Sequence, residues 1–187
     1  MKLRLSYSIL SCWAQGDYDG TIMRLRGEWP EPTKPMLMGR DADERWTHEV
    51  NVTGRMPVDF GGAKFSGEAR TQLKKAFWIN DWIQVVGVLD LKEPKIGRDW
   101  KYGATSATQY ANGYQHKVYQ VLYPEMTMFA YHAFNPYVPR EEAVTSAYIH
   151  LNKDSLTDGV EYIITHGSSI RDYIEKNELT IPDRTTP

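Results

Sequence analysis

The clearest strand-forming run of apolar residues lies near the centre of the chain. Residues 82–91 are rich in β-branched and aromatic side chains, which predicts a strand that ends at Asp90. Pro94 interrupts this run, and because proline cannot donate to a sheet ladder, a turn is expected there. Residues 96–102 then predict a second short strand. The two strands together predict a hairpin.

Helical spacing of apolar positions predicts helices elsewhere in the chain. They are expected up to about Gln15 after an N-cap at Ser6 or Ser8, and over 36–50, 66–77, 105–122 and 154–176, the last with a cap at Asp154 and Gly167 as a candidate break. Strands are expected at 126–134 and 143–151, and part of 51–65 is expected to supply the first strand of the sheet. This order predicts an α/β protein, a small mixed β-sheet flanked by helices, as a single domain over residues 1–187.

Composition narrows the class of protein. With 187 residues, 41% hydrophobic content, twelve Tyr and six Trp, the chain can bury a core as one domain. It contains no run of eighteen apolar residues and no secretion-signal pattern at its start, so we expect a cytoplasmic protein without a membrane span. Its single cysteine, Cys12, excludes an internal disulfide and a four-cysteine iron–sulfur cluster. A net charge of −2 restricts nucleic-acid contacts to local basic patches.

The predicted hairpin gathers two carboxylates and a lysine. Asp99 and Lys101 share one face of the second strand, because side chains two apart point the same way, and the hairpin brings Asp90 beside them. Such a group suits metal-assisted phosphodiester cleavage, since hard oxygen ligands hold Mg²⁺ or Mn²⁺ and a lysine steadies the developing charge. An isolated Asp-x-Lys pair is more often a solvated surface feature, so its surroundings decide between the two interpretations.

Three motifs in series provide those surroundings. A Gly-x-x-Asp strand end runs from Gly87 to Asp90, an Asp-x-Lys-x-Gly strand follows at 99–103, and a Gln-x-x-x-Tyr pair lies at Gln115 and Tyr119 on a helix. In this order and spacing they resemble the RecB-like exonuclease branch of the PD-(D/E)XK nuclease superfamily, in its phage and bacterial single-domain type without an iron–sulfur cluster. The resemblance covers residues 36–135 and is strongest over 85–123.

The resemblance implies a restriction-endonuclease-like core and a Mg²⁺ or Mn²⁺ cofactor. In that family, residues matching Asp90, Asp99 and the backbone carbonyl of Trp100 hold the metal. A lysine at the position of Lys101 serves catalysis. The glutamine and tyrosine that match Gln115 and Tyr119 sit beside the metal, where the glutamine hydrogen-bonds near the scissile phosphate and the tyrosine supports it.

One motif departs from the family pattern. Its members carry Gly-x-x-x-His on the helix that matches 36–50, with the histidine as a metal ligand. Here Gly39 is followed four residues later by Asp43, whose carboxylate can still ligate Mg²⁺. Glu44 and His48 are rival candidates for the same role, one turn apart on a shared face. A solvated surface role remains open for all three.

The helix predicted at 66–77 carries a basic face. Arg70, Lys74 and Lys75 lie largely opposite its apolar side and are candidates for contacts to the phosphate backbone. An ordinary solvent-facing helix is the alternative.

These observations favour a metal-dependent DNA nuclease, an exonuclease serving recombination or repair. Its partner would be DNA, as a single strand or a duplex end, and a homo-oligomer or a recombination partner protein stays open. Two alternatives remain. One is a catalytically silent DNA-binding or scaffold module of the same fold, and the other is a metal-dependent phosphoesterase acting on RNA or nucleotides.

Overall fold

The chain is built around one mixed sheet, seen in a computed structural model that describes residues 1–65 and 67–185. Its strands are β1 (Leu3–Ser6), β2 (Arg70–Trp78), β3 (Ile83–Lys92), β4 (Ile96–Tyr102), β5 (Met128–Phe134) and β6 (Val144–His150). They are ordered β1–β3–β4–β5–β6, and β2 pairs with the other edge of β3. The β1–β3 and β4–β5 pairs are parallel and the others antiparallel, so the predicted mixed α/β sheet is confirmed.

Helices flank this sheet. They are α1 (Tyr7–Ala14), α2 (Tyr18–Arg26), α3 (Lys34–Thr53), α4 (Ala107–Ala111), α5 (Gln115–Leu122) and α6 (Lys153–Lys176). Ser6 caps α1 as predicted, because its hydroxyl accepts a hydrogen bond from the Ile9 N–H. None of the helices in the described residues is long and apolar enough to cross a membrane.

Two apolar clusters hold the layers together. The larger joins α1, α5 and α6 to the sheet through side chains such as Leu5, Leu122 and Ile163. The smaller packs α3 against β3 and β4 and includes Trp46, Leu91 and Trp100. The Trp46 indole also donates to Asp59 at 2.9 Å, which satisfies its buried N–H. α3 is therefore anchored over the β3–β4 hairpin.

The prediction of a helix at 66–77 is wrong. Residues from Arg70 to Trp78 form β2, paired with β3 over almost its full length, and Ser66, the expected helix start, lies outside the described residues. The apolar spacing of Leu73, Ala76 and Phe77 fits a helix face, but long-range pairing with β3 overrides this local pattern. The first strand expected within 51–65 is also absent from the described part of that segment, which holds a 3₁₀ turn at Val58–Phe60.

Two other helix predictions need correction. The helix expected over 105–122 is divided into α4 and α5, because Asn112 and Gly113 donate to Gln109 and Tyr110 in tight turns that end the first helix. In α6 the cap is Asn152 rather than Asp154, and the helix continues through Gly167. A Cβ at Gly167 would stand 2.8 Å from the Ile83 side chain. Close packing, rather than a break, accounts for this glycine.

Two helical glycines should respond oppositely to replacement by alanine. A Cβ at Gly159 of α6 would lie 2.5 Å from the backbone oxygen of Lys117, so Gly159→Ala should lower the free energy of unfolding by about 1–3 kcal/mol. At Gly39 of α3 the nearest atom is Tyr102 Cβ at 3.8 Å, so Gly39→Ala should raise it by up to about 1 kcal/mol through helix propensity. Urea denaturation checks both. Equal stability of the two variants would contradict the close contact between α5 and α6.

Candidate active site

The β3–β4 hairpin holds two of the candidate residues side by side. Within the described residues its strands pair at two positions, Leu91 with Arg98 and Lys92 with Gly97, and then separate. At that point Asp90 Oδ2 accepts a hydrogen bond from the Trp100 N–H at 2.8 Å. The predicted hairpin is confirmed. Its opening places the Asp90 carboxylate against the strand that carries Asp99.

Asp99 is only 3% exposed, and polar groups contact both of its oxygens. Gln115, at the start of α5, donates from Nε2 to Oδ1 at 3.0 Å. Lys101 Nζ lies 2.5 Å from Oδ2 in an ion pair. Burial lowers the pKa of Lys101, but the Asp99 carboxylate more than offsets this and raises it above its ordinary value. The lysine is therefore held charged beside Asp99.

A third carboxylate approaches from α3. Asp43 is half-buried and accepts a hydrogen bond at 3.3 Å from the side-chain amide of Gln72 on β2. The same amide nitrogen lies 3.3 Å from Thr47 Oγ1. Gln72 has a φ of +51°, a left-handed conformation that costs a non-glycine residue about 1–2 kcal/mol. Gln72 carries no sequence signal for this role, because the run around it has helical spacing.

The electrostatics of this carboxylate cluster, Asp43, Asp90 and Asp99, are unbalanced. Burial, and then the Asp99 charge, raise the pKa of Asp43 and raise that of Asp90 well above its ordinary value. Burial also raises the pKa of Asp99, although Lys101 and Gln115 act in the opposite direction. Among the described residues, the Lys101 ammonium thus counteracts three carboxylates. A divalent cation would supply the missing positive charge.

The donor set fits Mg²⁺ or Mn²⁺, which prefer carboxylate and carbonyl oxygens. In the part of the chain that the structure describes, no three His, Cys, Asp or Glu side chains already converge into a metal-binding group. Polar neighbours hold the oxygens instead, since the Trp100 N–H binds Asp90 and Lys101 pairs with Asp99. A cation entering the cluster would therefore compete with Lys101 for the Asp99 oxygen.

A cavity of about 740 Å³ adjoins the cluster, a volume typical of ligand sites. Lys101, Gln115 and Tyr119 form part of its wall, and α1 contributes Ser8 and Ser11. Lys101 and Gln115, which both hold Asp99, therefore border the same cavity.

Solved structures with a similar architecture include several exonucleases. LHK-Exo, an alkaline exonuclease from Laribacter hongkongensis, matches with a TM-score of 0.59 at 11% identity, covering 94% of this chain and 91% of that one. Its complex with dAMP matches with a TM-score of 0.62 at 10% identity, covering 93% and 91%. A phage-related exonuclease from Haemophilus somnus 129PT gives 0.56 at 15% identity, covering 88% and 83%. No protein-family model and no curated protein sequence matches the chain.

These similarities cover most of both chains. At identities of 10% and 15%, they show a shared fold and nothing finer. The chain therefore shares the fold of these exonucleases, a mixed β-sheet flanked by helices. The expected α/β nuclease-like core is thereby confirmed. Within this fold the three sequence motifs lie on the elements that the resemblance implies, with Asp90 near the end of β3, Asp99 and Lys101 on β4, and Gln115 and Tyr119 on α5.

The three α3 candidates differ in position within this nuclease fold. Asp43 is half-buried, accepts a hydrogen bond from Gln72, and has its pKa raised by burial and then by the Asp99 charge. The Glu44 side chain is 72% exposed and lies 3.9 Å from Arg40 on the helix surface. His48 is exposed as well. Asp43, at the register expected from Gly39, is thus the half-buried carboxylate among the three candidates.

Tyr119 links α5 to the backbone of β3. Its buried hydroxyl donates a hydrogen bond to the carbonyl of Val88, and burial raises its pKa above the ordinary value. A Cβ at Gly87 would lie 2.9 Å from the Tyr119 ring and 2.8 Å from Leu122. The Gly-x-x-Asp glycine thus lets α5 pack closely against the strand that leads to Asp90.

The three predicted DNA-contacting cations do not form one face. Arg70 pairs with Glu68 at 2.9 Å, and Lys75 lies 4.7 Å from the centroid of the Tyr123 ring. Lys74 is exposed and is adjacent in sequence to Lys75, so the two point to opposite faces of β2. The prediction of a basic helical face is wrong, because the segment is a strand.

Proposed function

We propose that this protein is a metal-dependent DNA nuclease, an exonuclease that hydrolyses phosphodiester bonds during recombination or repair. The observation that carries the proposal is the setting of Asp99, which is buried between Lys101 and Gln115 and beside Asp90 in a PD-(D/E)XK fold. Three elements, β3, β4 and α5, deliver these side chains to one point. A purely structural ion pair would not need two further carboxylates, Asp90 and Asp43, beside it.

Asp90, Asp99 and the backbone carbonyl of Trp100 would hold the cation, with Asp43 as the ligand from α3. Mg²⁺ or Mn²⁺, when bound, supplies a Lewis acid for the phosphoryl oxygen and lowers the pKa of a coordinated water. The excess of carboxylates over ammonium groups supports this assignment, since a bound cation would relieve their mutual repulsion.

Lys101 and Gln115 would orient the substrate. The Lys101 ammonium lines the cavity and can place its charge against the phosphoryl group as negative charge develops there. The Gln115 amide can donate one hydrogen to Asp99 and offer the other to a phosphate oxygen. Tyr119 keeps β3 and α5 in register and thereby holds these two groups relative to Asp90.

An exonuclease mode is supported by the names of the matching structures and by the shape of the site. The cavity is bounded by α1 on one side and α5 on the other, which suits a strand end. The substrate would then be DNA presented as a single strand or a duplex end. A homo-oligomer or a recombination partner protein is compatible with this arrangement.

A cleavage assay on four substrates tests the proposal. Linear duplex DNA should be degraded from its ends with Mg²⁺ or Mn²⁺, covalently closed circles should survive, and EDTA or Asp99→Asn should abolish the reaction. Degradation of RNA or nucleotides in preference to DNA would support the phosphoesterase alternative. No hydrolysis of any substrate, with DNA binding retained, would contradict the nuclease and support a scaffold module.

Alanine substitutions along α3 test the helix-borne ligand. Asp43→Ala should lower the cleavage rate by at least about tenfold, because it removes a carboxylate that faces the cluster. Glu44→Ala and His48→Ala should retain most of the activity, since both side chains lie on the exposed surface. Loss of activity in His48→Ala with Asp43→Ala active would show that the register of α3 is wrong.

A further inference from the structure

A second groove, of about 340 Å³, adjoins the active-site cavity and is lined by cations from four segments of the chain. They are Lys2 and Arg4 near the N-terminus, Arg24 of α2, Lys74 of β2 and Arg184 near the C-terminus. No acidic side chain lines the groove among the described residues, and Arg24 alone of the five forms an ion pair there, with Asp17 at 3.7 Å. In a chain of net charge −2, this is a marked local concentration of positive charge.

Exposed indole rings accompany these cations. Trp29 lines the groove and is 62% exposed, with the Arg24 guanidinium 5.9 Å from its ring centroid. Trp78 is 40% exposed, and Lys2 Nζ lies 5.4 Å from its ring. Alternating cations and accessible aromatic faces are the features on which unpaired bases stack while phosphates are neutralised.

The groove shares part of its wall with the cavity beside the candidate active site. Ser6, Arg24 and Val86 line both the groove and the 740 Å³ cavity that contains Lys101 and Gln115. A chain of nucleotides leaving this cavity would pass Arg24, whose partner Asp17 also lines the cavity, and would then reach Trp29 and Lys74.

We propose that this cationic groove binds a single strand of DNA that extends from the candidate active site. Its link to the active site rests on the function proposed above. A single strand fits better than a duplex, because exposed indoles can stack only on bases that are not already paired. It also fits better than an acidic peptide, which would use the cations but would gain little from Trp29.

A matched pair of double variants tests the charge. Lys2→Ala/Lys74→Ala removes two exposed groove cations, and Lys95→Ala/Lys153→Ala removes two exposed lysines that do not line it. Binding of a fluorescent single-stranded oligonucleotide is measured with Ca²⁺ at several salt concentrations. The groove variant should bind at least about tenfold more weakly at low salt, and its log–log salt slope should flatten by about 1.4, or about 0.7 per phosphate contact. The control should match the parent.

A second set of variants tests stacking. Trp29→Ala should weaken oligonucleotide binding by about tenfold, the scale of one base–aromatic stack, while Trp29→Phe should remain close to the parent. Tyr137→Ala, at an aromatic position 63% exposed in the β5–β6 connection, should bind as the parent does.

The outcomes separate this proposal from the nuclease proposal. Unchanged binding in both the lysine and the tryptophan variants would contradict the proposal that the groove binds DNA. The nuclease proposal would then still be tested by the cleavage assay. A second outcome is weaker binding in the lysine variant but not in Trp29→Ala, with polyglutamate competing as effectively as unlabelled oligonucleotide. It would contradict a DNA strand as the ligand and would support an acidic partner. Groove-dependent binding by a protein that cleaves nothing would support the groove and contradict the nuclease.

Discussion

Lys101→Met should lower the rate of DNA cleavage by roughly 10²–10³, the scale of removing one preorganised electrostatic group from an active site. Its ammonium pairs with Asp99, and the Lys101 side chain lines the cavity beside Gln115. Methionine keeps much of the side-chain volume, so the change removes charge more than packing. Single-turnover cleavage of linear DNA with Mg²⁺ measures the effect.

Binding and a matched lysine provide the controls for this variant. DNA affinity with Ca²⁺ should change little, because one lysine is a small part of the phosphate contacts. Lys95→Met, in the exposed turn between β3 and β4, should cleave as the parent does. A folded Lys101→Met protein that cuts linear DNA at the parental rate would rule out the proposed role of the ammonium.

Asp90→Asn should weaken divalent-ion binding by at least tenfold, or ~1.4 kcal/mol, and should stabilise the metal-free protein. The amide oxygen can still accept from the Trp100 N–H, so the hydrogen bond at the hairpin opening is retained. The variant loses a negative charge that is buried and faces Asp99 and Asp43. Titration calorimetry measures the first effect, and urea denaturation in EDTA measures the second.

The predicted stabilisation by Asp90→Asn depends on pH in a definite direction. The pKa of Asp90 in the folded state lies well above its ordinary 3.8, so the folded protein binds more protons than the unfolded chain. The contribution of Asp90 is fully present below pH 3.8 and is lost as pH rises through the folded-state pKa. Asp90→Asn should remove this decline, whereas Asp172→Asn, at an exposed position of α6, should keep it. Parental metal binding by a folded Asp90→Asn protein would remove Asp90 from the site.

The central hairpin could be predicted because its signals are local. Pro94 breaks the run between two β-rich segments, and the period of two places Asp99 and Lys101 on one face. The spacing of Gln115 and Tyr119 likewise places both on one side of α5, where Gln115 reaches Asp99 and Tyr119 reaches Val88.

Other parts of the fold depend on contacts distant in sequence. The segment of β2 has apolar positions that suit a helix, and pairing with β3 decides its structure. The role of Gln72 depends on a left-handed backbone conformation within that strand. Glutamine rarely adopts this conformation, so the sequence does not predict it. The cationic groove unites residues as far apart as Lys2 and Arg184, so no window of the sequence contains it.

Anomalous diffraction from crystals soaked in Mn²⁺ tests the central claim most directly, because it locates the cation without relying on activity. A peak should appear at coordination distance from the carboxylate oxygens of Asp90 and Asp99, with Asp43 on the same ion. Asp90→Asn crystals treated identically should lose most of that peak. A strong peak elsewhere, or none between Asp90 and Asp99 at saturating Mn²⁺, would contradict the account.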